Sequence, residues 1–165
     1  MIVIVDYGMG NLLNVAKAFE FIGEKVRVTQ EKSVVAHASR LVVPGVGAFG
    51  DAVDELHKYD LFETIRRFID TGRPCLGICL GLQLFLEGSS EAPGKKGLGI
   101  MEGRNVLFDG PAFTGSNRLK VPHMGWNKVH ITKSTCPLFK LNAQDNFFYF
   151  VHSYAAHTWT LTPSG

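Results

Sequence analysis

The sequence has no basic or acidic run, no long apolar stretch and no paired cysteines. Lys and Arg number 17 against 15 Asp and Glu, a formal net charge of +2. No basic run of five or more occurs, so nucleic acid and anionic membranes are poor partners. The longest apolar runs, such as residues 1–5 and 147–151, fall far short of the ~20 residues that a bilayer-spanning helix needs. No basic segment opens the chain, and Asp6 arrives too early for a signal peptide. The cysteines are Cys75, Cys79 and Cys136. An odd number without a secretory segment points to reduced thiols and a cytoplasmic location. Cys75 and Cys79 stand in C-x3-C spacing with no second ligand pair following. No zinc site is therefore expected, nor any other metal or cofactor.

What remains is an ordinary globular composition. Hydrophobic residues make up 45% and charged residues 19%, which excludes a disordered chain. A length of 165 residues predicts one domain, residues 1–165, with a sizeable core. The 18 glycines cluster in short motifs and read as tight backbone sites, not as linker.

The first half alternates strands and helices. Residues 1–5 are continuously apolar, as in a strand buried on both faces. A glycine turn follows. Leu12, Val15, Ala16, Phe19 and Ile22 then recur at helical spacing up to Gly23. Residues 25–29, 40–43 and 75–79 read as further strands, and 52–57, 61–69 and 80–87 as helices. This order predicts an α/β fold, a mostly parallel sheet with helices on both faces. The second half reads as short strands at 98–101, 105–108, 120–122, 128–132, 147–154 and 158–161, an added antiparallel layer of the same domain. Residues 88–97 are turn-rich and predict a mobile loop.

The chemistry concentrates in Gly77-Ile78-Cys79-Leu80-Gly81, between a strand and a helix. A G-x-nucleophile-x-G pattern describes a sharp turn in which both glycines remove a clashing Cβ and the nucleophile stands exposed. A helix N-terminus there sets partial positive charge beside the sulfur. The N–H of Leu80 becomes an oxyanion donor. The bland alternative is a buried structural Cys between packing glycines. Gly45-Val46-Gly47-Ala48-Phe49-Gly50 matches the dinucleotide fingerprint G-x-G-x-x-G. Its following strand ends at Cys79, however, and not at the acidic residue that would hold a ribose. It reads better as a glycine loop beside Cys79 that supplies a second oxyanion donor, or as a plain turn.

Four segments in order carry a resemblance: Asp6-Tyr7-Gly8-Met9-Gly10-Asn11, Pro44-Gly45-Val46-Gly47, the Cys79 elbow with Gln83, and Pro122-His123-Met124-Gly125-Trp126-Asn127. Together they resemble the class I (triad-type) glutamine amidotransferases, a flavodoxin-like fold, over essentially the whole chain. The last motif is most similar to the branch that forms the glutaminase subunits of imidazole glycerol phosphate synthase, in histidine biosynthesis. The resemblance implies that Cys79 attacks the carboxamide of L-glutamine to form a thioester. It implies an oxyanion hole from Leu80, Val46 and Gly47. It places Gly45, Gln83, Glu91, Ser153 and Tyr154 on glutamine. It sets Asn11, Asn14, Met124, Trp126 and His152 against a (β/α)8-barrel synthase subunit, which receives the ammonia in a heterodimer.

The family's catalytic His-Pro-Glu motif has no counterpart: no histidine is followed two residues later by glutamate. His152 matches a different family segment, and no acidic residue follows Asp145. The expectation is a C-terminally incomplete amidotransferase domain that lacks its general base. Two other functions fit the residues less fully: a partner-binding module of the same complex without turnover, and another elbow-Cys amidotransferase.

Overall fold

The structure, a computed structural model, describes residues 1–116, 118–133, 135–136, 139 and 146–157. They form two compact units, residues 1–106 joined by Ala156 and His157, and Leu107–Ala155. The strand expected over 158–161 lies outside the described residues.

The first unit is built on a four-stranded parallel sheet of order β2-β1-β3-β4: β1 Ile2–Val5, β2 Val26–Thr29, β3 Arg40–Gly45 and β4 Cys75–Cys79. Its helices are α1 Leu12–Phe21, α2 Lys32–Ala36, α3 Phe49–Lys58, α4 Phe62–Asp70 and α5 Leu80–Gln83. Strand alternation divides the apolar residues between two faces. Val3, Val5, Leu41 and Val43 pack with Phe49, Val53, Leu56, Ile65 and Phe68 from α3 and α4. Ile2, Ile4 and Val42 turn the other way, onto Ala16, Val15 and Phe19 of α1. The expected parallel sheet with helices on both faces is thus present. The second face is the thinner one, and Leu76 and Val28 stay 38% and 39% exposed.

Three local expectations are corrected. The short helix α2 has no counterpart among the expected elements; it carries little more than the pair Val34 and Val35 to the core. The helix expected over 80–87 ends at Gln83, and residues 86–89 form β5 Leu86–Ser89 instead. The reason is competition for carbonyls. Leu98, Ile100, Gly99 and Gly97 donate their N–H groups to the carbonyls of Leu84, Phe85, Leu86 and Glu87, and the buried Asn105 Nδ2 donates to Gln83 and Gly88. Those carbonyls are then unavailable to a helix. The loop over 88–97 carries bonds of its own: Gly88 bridges Lys96, and the Glu91 carboxylate accepts the N–H of Phe49. Residues 98–101 and 105–108, expected as two strands, supply one, β6 Met101–Leu107, parallel to β5. The end of β9, Tyr154–His157, is next in that sheet's order.

The second unit is a two-stranded antiparallel ribbon of β7 His123–Lys128 and β8 Phe147–His152, preceded by a 3-10 turn at Pro111–Phe113. β7 begins at His123, whereas the sequence predicts strands at 120–122 and 128–132. On one face of the ribbon the pairs are Met124 with Val151 and Trp126 with Tyr149. On the other they are His123 with His152, Gly125 with Phe150 and Asn127 with Phe148.

Ile65 and Leu56 have no exposed surface, whereas Phe21 on α1 is 91% exposed. Ile65→Ala should cost ~2–5 kcal/mol of stability, and Phe21→Ala less than about 0.5 kcal/mol. Denaturant melts of the two variants check this, and equal midpoints would contradict the assigned core.

Candidate active site

β4 carries the elbow. Cys79 pairs in register with Gly45 at the end of β3, and its backbone turns to φ 55°, ψ −115° as the chain enters α5. Apart from Asp60, it is the one non-glycine residue with positive φ among the described residues. A non-glycine side chain held there costs on the order of 1–3 kcal/mol and needs surroundings that over-determine it. The surroundings are close. A Cβ on Gly81 would lie 1.8 Å from the carbonyl oxygen of Val43, and one on Gly77 would lie 2.7 Å from the backbone of Leu82. Backbone therefore packs on backbone on both sides of the turn. The Cys79 side chain is exposed, while Leu80 beside it is 2% exposed and anchors α5 in the core.

The loop after β3 is the second half of the site. Gly45 is buried, Val46 is 55% exposed and Gly47 sits at φ 108°. The hydroxyl of the fully buried Tyr7 donates to the Pro44 carbonyl at 2.7 Å. Burial first, and then the charge of nearby Cys79, push the Tyr7 phenol upward. It stays a neutral donor that fixes the end of β3. The Leu80 N–H lies in the first turn of α5, where no intrahelical acceptor exists. Because α5 has 4 residues, its dipole contribution is smaller than the full helix expected from sequence would have supplied. Strand geometry, more than helix length, presents the sulfur.

The other cysteines differ. Cys75 opens β4 and packs against the core, and burial pushes its thiol up to about 12. Cys136 lies in the second unit.

The first unit also carries Gln83, at the end of α5, and Glu91. The Glu91 Oε2 accepts the first N–H of α3 at 2.9 Å. Asn11 caps α1 by accepting the Asn14 N–H at 3.3 Å, so both lie at that helix's start. Ser153, Tyr154, Met124, Trp126 and His152 fall in the second unit. The Ser153 carbonyl accepts from Phe108, and the Tyr154 carbonyl receives the His152 ring at 3.0 Å. Met124 and Trp126, at 61% and 67% exposure, share one ribbon face, and His152 is on the opposite one. Tyr7 and Asn105 are the contributors that sequence reading missed, since neither stands in a spacing that marks its role. Among the described residues no three His, Cys, Asp or Glu side chains converge as a metal site, and no helix is long and apolar enough to cross a membrane.

This geometry has counterparts. The family profile "Glutamine amidotransferase class-I" matches residues 3–165, and the chain belongs to that family. Two solved structures share the fold. One is a glutamine amidotransferase at TM-score 0.66 and 15% identity, covering 94% of this chain and 73% of that one. The other is a putative GMP synthase component from Thermoplasma acidophilum at TM-score 0.61 and 18% identity, covering 94% and 65%. Within the family, the chain groups with the subunits called HisH of imidazole glycerol phosphate synthase. It is 50% identical to that of Syntrophotalea carbinolica over 93% of this chain and 74% of the relative. It is 47% identical to that of Rhodopirellula baltica, over 93% and 72%, and 46% identical to that of Aquifex aeolicus, over 92% and 70%.

Two outcomes are expected. Iodoacetamide at pH 8 should alkylate Cys79 and spare Cys75, as mapped by peptide mass spectrometry; faster labelling of Cys75 would contradict the elbow. Gly81→Ala should cost about 3 kcal/mol, the upper end of the usual range for forcing atoms into a packed site, because neither Val43 nor Gly81 can yield without shifting a strand. An unchanged melting midpoint would contradict the contact.

Proposed function

We propose that this chain is the glutaminase subunit of an imidazole glycerol phosphate synthase, both units belonging to one amidotransferase domain. It hydrolyses L-glutamine to glutamate and ammonia, and passes the ammonia to a (β/α)8-barrel synthase subunit. The support is an exposed Cys79 at φ 55°, braced by Gly77 and Gly81 and paired with Gly45, in a chain whose relatives carry that name.

The Cys79 sulfur attacks the side-chain carbonyl carbon of glutamine, and the C=O electron pair moves to oxygen. The N–H of Leu80 and the peptides of Val46 and Gly47 receive that oxyanion. One such donor is worth ~10²–10³ in rate. The C–N bond then breaks, the nitrogen takes a proton and leaves as ammonia, and a glutamyl thioester remains. Water attacks the thioester, giving glutamate and restoring the thiol. Gly45, Gln83, Glu91, Ser153 and Tyr154 hold the substrate. The Glu91 carboxylate is the one matched to its α-ammonium group. The barrel docks on Asn11, Asn14 and the exposed ladder of Met124, Trp126, Tyr149 and Val151. His152, on the opposite ribbon face, does not belong to that ladder.

A second reading has its own observation. The His-x-Glu spacing occurs nowhere in the 165 residues, so the proton donor for the leaving ammonia is not matched by any family motif here. A module that binds the barrel without turnover fits that feature. General acid–base help is worth ~10²–10⁴-fold. Glutamate release from these residues, with barrel and nucleotide ligand present, should therefore fall by that factor below a family member carrying the His-Pro-Glu motif. A glutamyl thioester should still form on Cys79 and vanish in Cys79→Ala. Equal turnover would mean that one of the histidines in this sequence serves as the base. Absence of the thioester would favour the binding module.

A further inference from the structure

On the face of the ribbon opposite the exposed Trp126 and Met124, antiparallel register sets His123 directly across from His152. Their ring nitrogens, Nδ1 of His123 and Nε2 of His152, face each other at 3.3 Å. Each ring's remaining nitrogen is already held. The His152 Nδ1 lies 3.0 Å from the Tyr154 carbonyl oxygen, and the His123 Nε2 lies 2.7 Å from the Asn127 side-chain amide. A carbonyl only accepts, so His152 carries its proton on Nδ1 and presents a lone pair at Nε2. Both rings are half-buried, seated on Phe108 and Phe150, so their orientations are constrained while one edge meets solvent.

We propose that His123 and His152 form a two-histidine chelate for a borderline divalent transition ion such as Zn²⁺, Ni²⁺ or Cu²⁺, with water completing the coordination. Two Zn–N bonds of ~2.0–2.1 Å at a tetrahedral angle separate their nitrogens by about 3.4 Å, and the rings already stand at 3.3 Å. Metal-bound histidines typically donate their other N–H to an oxygen, which fixes tautomer and ring direction. Tyr154 supplies that oxygen to His152. The Asn127 amide, turned over, supplies its Oδ1 to His123. Without metal, His123 donates from Nδ1 to His152 and accepts from the Asn127 amide at Nε2. Binding moves that proton from Nδ1 to Nε2 of the same ring, so no net proton leaves. A bound ion replaces one histidine–histidine hydrogen bond by two coordinate bonds and ties β7 to β8. It stabilises the ribbon by mass action. The two residues are 29 apart in sequence, so no ligand spacing reveals them.

The test is zinc titration calorimetry on the metal-stripped 165-residue chain, its accessible thiols first alkylated with iodoacetamide and the half-buried Cys75 replaced by Ala. With both histidines in place it should bind one Zn²⁺ that depends on both rings. His123→Gln and His152→Gln should each weaken it at least ~10-fold, since even losing an outer partner of a ligand costs 10–100-fold. His37→Gln should leave it unchanged. In the chain that keeps both histidines, Zn²⁺ should shift the ring resonances of His123 and His152 together, which keeps the test valid if a variant fails to fold. Absence of binding up to millimolar zinc, binding retained in either ribbon variant, or ring shifts confined to other histidines would overturn the proposal.

Discussion

The approach of the first turn of α5 to the end of β3 is the constraint on which the site depends. Gly81 leaves no room for a single carbon between itself and the Val43 carbonyl, and Gly45 meets the Gly81 nitrogen in the same way: a Cβ there would lie 3.1 Å from it. Two consequences follow from this contact, and a third from the strand register beside it. The chain leaving β4 cannot continue straight and must turn at Cys79. Leu80 is driven into the core, so its side chain holds the turn from beneath. The loop after Gly45 is brought beside the sulfur, because β3 and β4 are neighbours in register. Strain at one residue is thereby supported by close-packed backbone, which deforms only at a cost comparable to the strain itself.

That rigidity would mean little on a loose sheet. The face that carries α3 and α4 is filled by large side chains with almost no exposure, among them Phe49, Leu56, Ile65 and Phe68. Phe49 is also the first residue of α3, and its N–H is taken by Glu91. The glycine loop therefore runs between two fixed ends: Pro44, whose carbonyl is held by Tyr7, and Phe49, anchored by side chain and by cap. Only Val46 and Gly47 lie between the end of β3 and the cap of α3. The oxyanion donor proposed for that stretch is one that a peptide rotation could aim without disturbing the core on either side.

Much of this is legible in the sequence because it rests on short-range signals. The alternating isoleucines and valines of β1 and the Leu-Val-Val run of β3 report two buried faces directly, and the glycines at 77 and 81 report the elbow. The errors fall where distant backbone decides. Residues 84–87 carry enough leucine and phenylalanine to read as helix. Their carbonyls are claimed by residues 97–101, a contest that no local pattern displays. Tyr7 reads as one residue of the glycine turn after β1, since its acceptor is 37 residues away. Asn105 reads as a polar strand residue, although it is wholly buried and bonded to two carbonyls of the preceding crossover. The aromatic strand of the ribbon starts where the sequence places it, at residue 147, but its partner lies several residues from its expected place, because only pairing with β8 decides which residues of that segment are strand.

The structural role of Glu91 is compatible with the substrate role proposed for it. As the partner of Phe49, its carboxylate does the work of an N-cap, a bond worth ~0.5–2 kcal/mol, and it lies where the helix dipole favours negative charge. An ionised carboxylate offers about four lone-pair sites on two oxygens, and the cap uses one of them on Oε2. Accepting from an ammonium group does not require giving up the cap. The cap holds the side chain in one direction before any ligand arrives, which removes part of the ordering cost of binding. Replacing Glu91 would therefore loosen α3 at the same end as the glycine loop, and the loss of an ammonium partner could not be separated from a less well-held oxyanion strand by activity alone. Gln, which keeps the reach and an acceptor oxygen for the Phe49 N–H but not the charge, separates the two: the anchor of the loop persists while the charge matched to an ammonium group is lost.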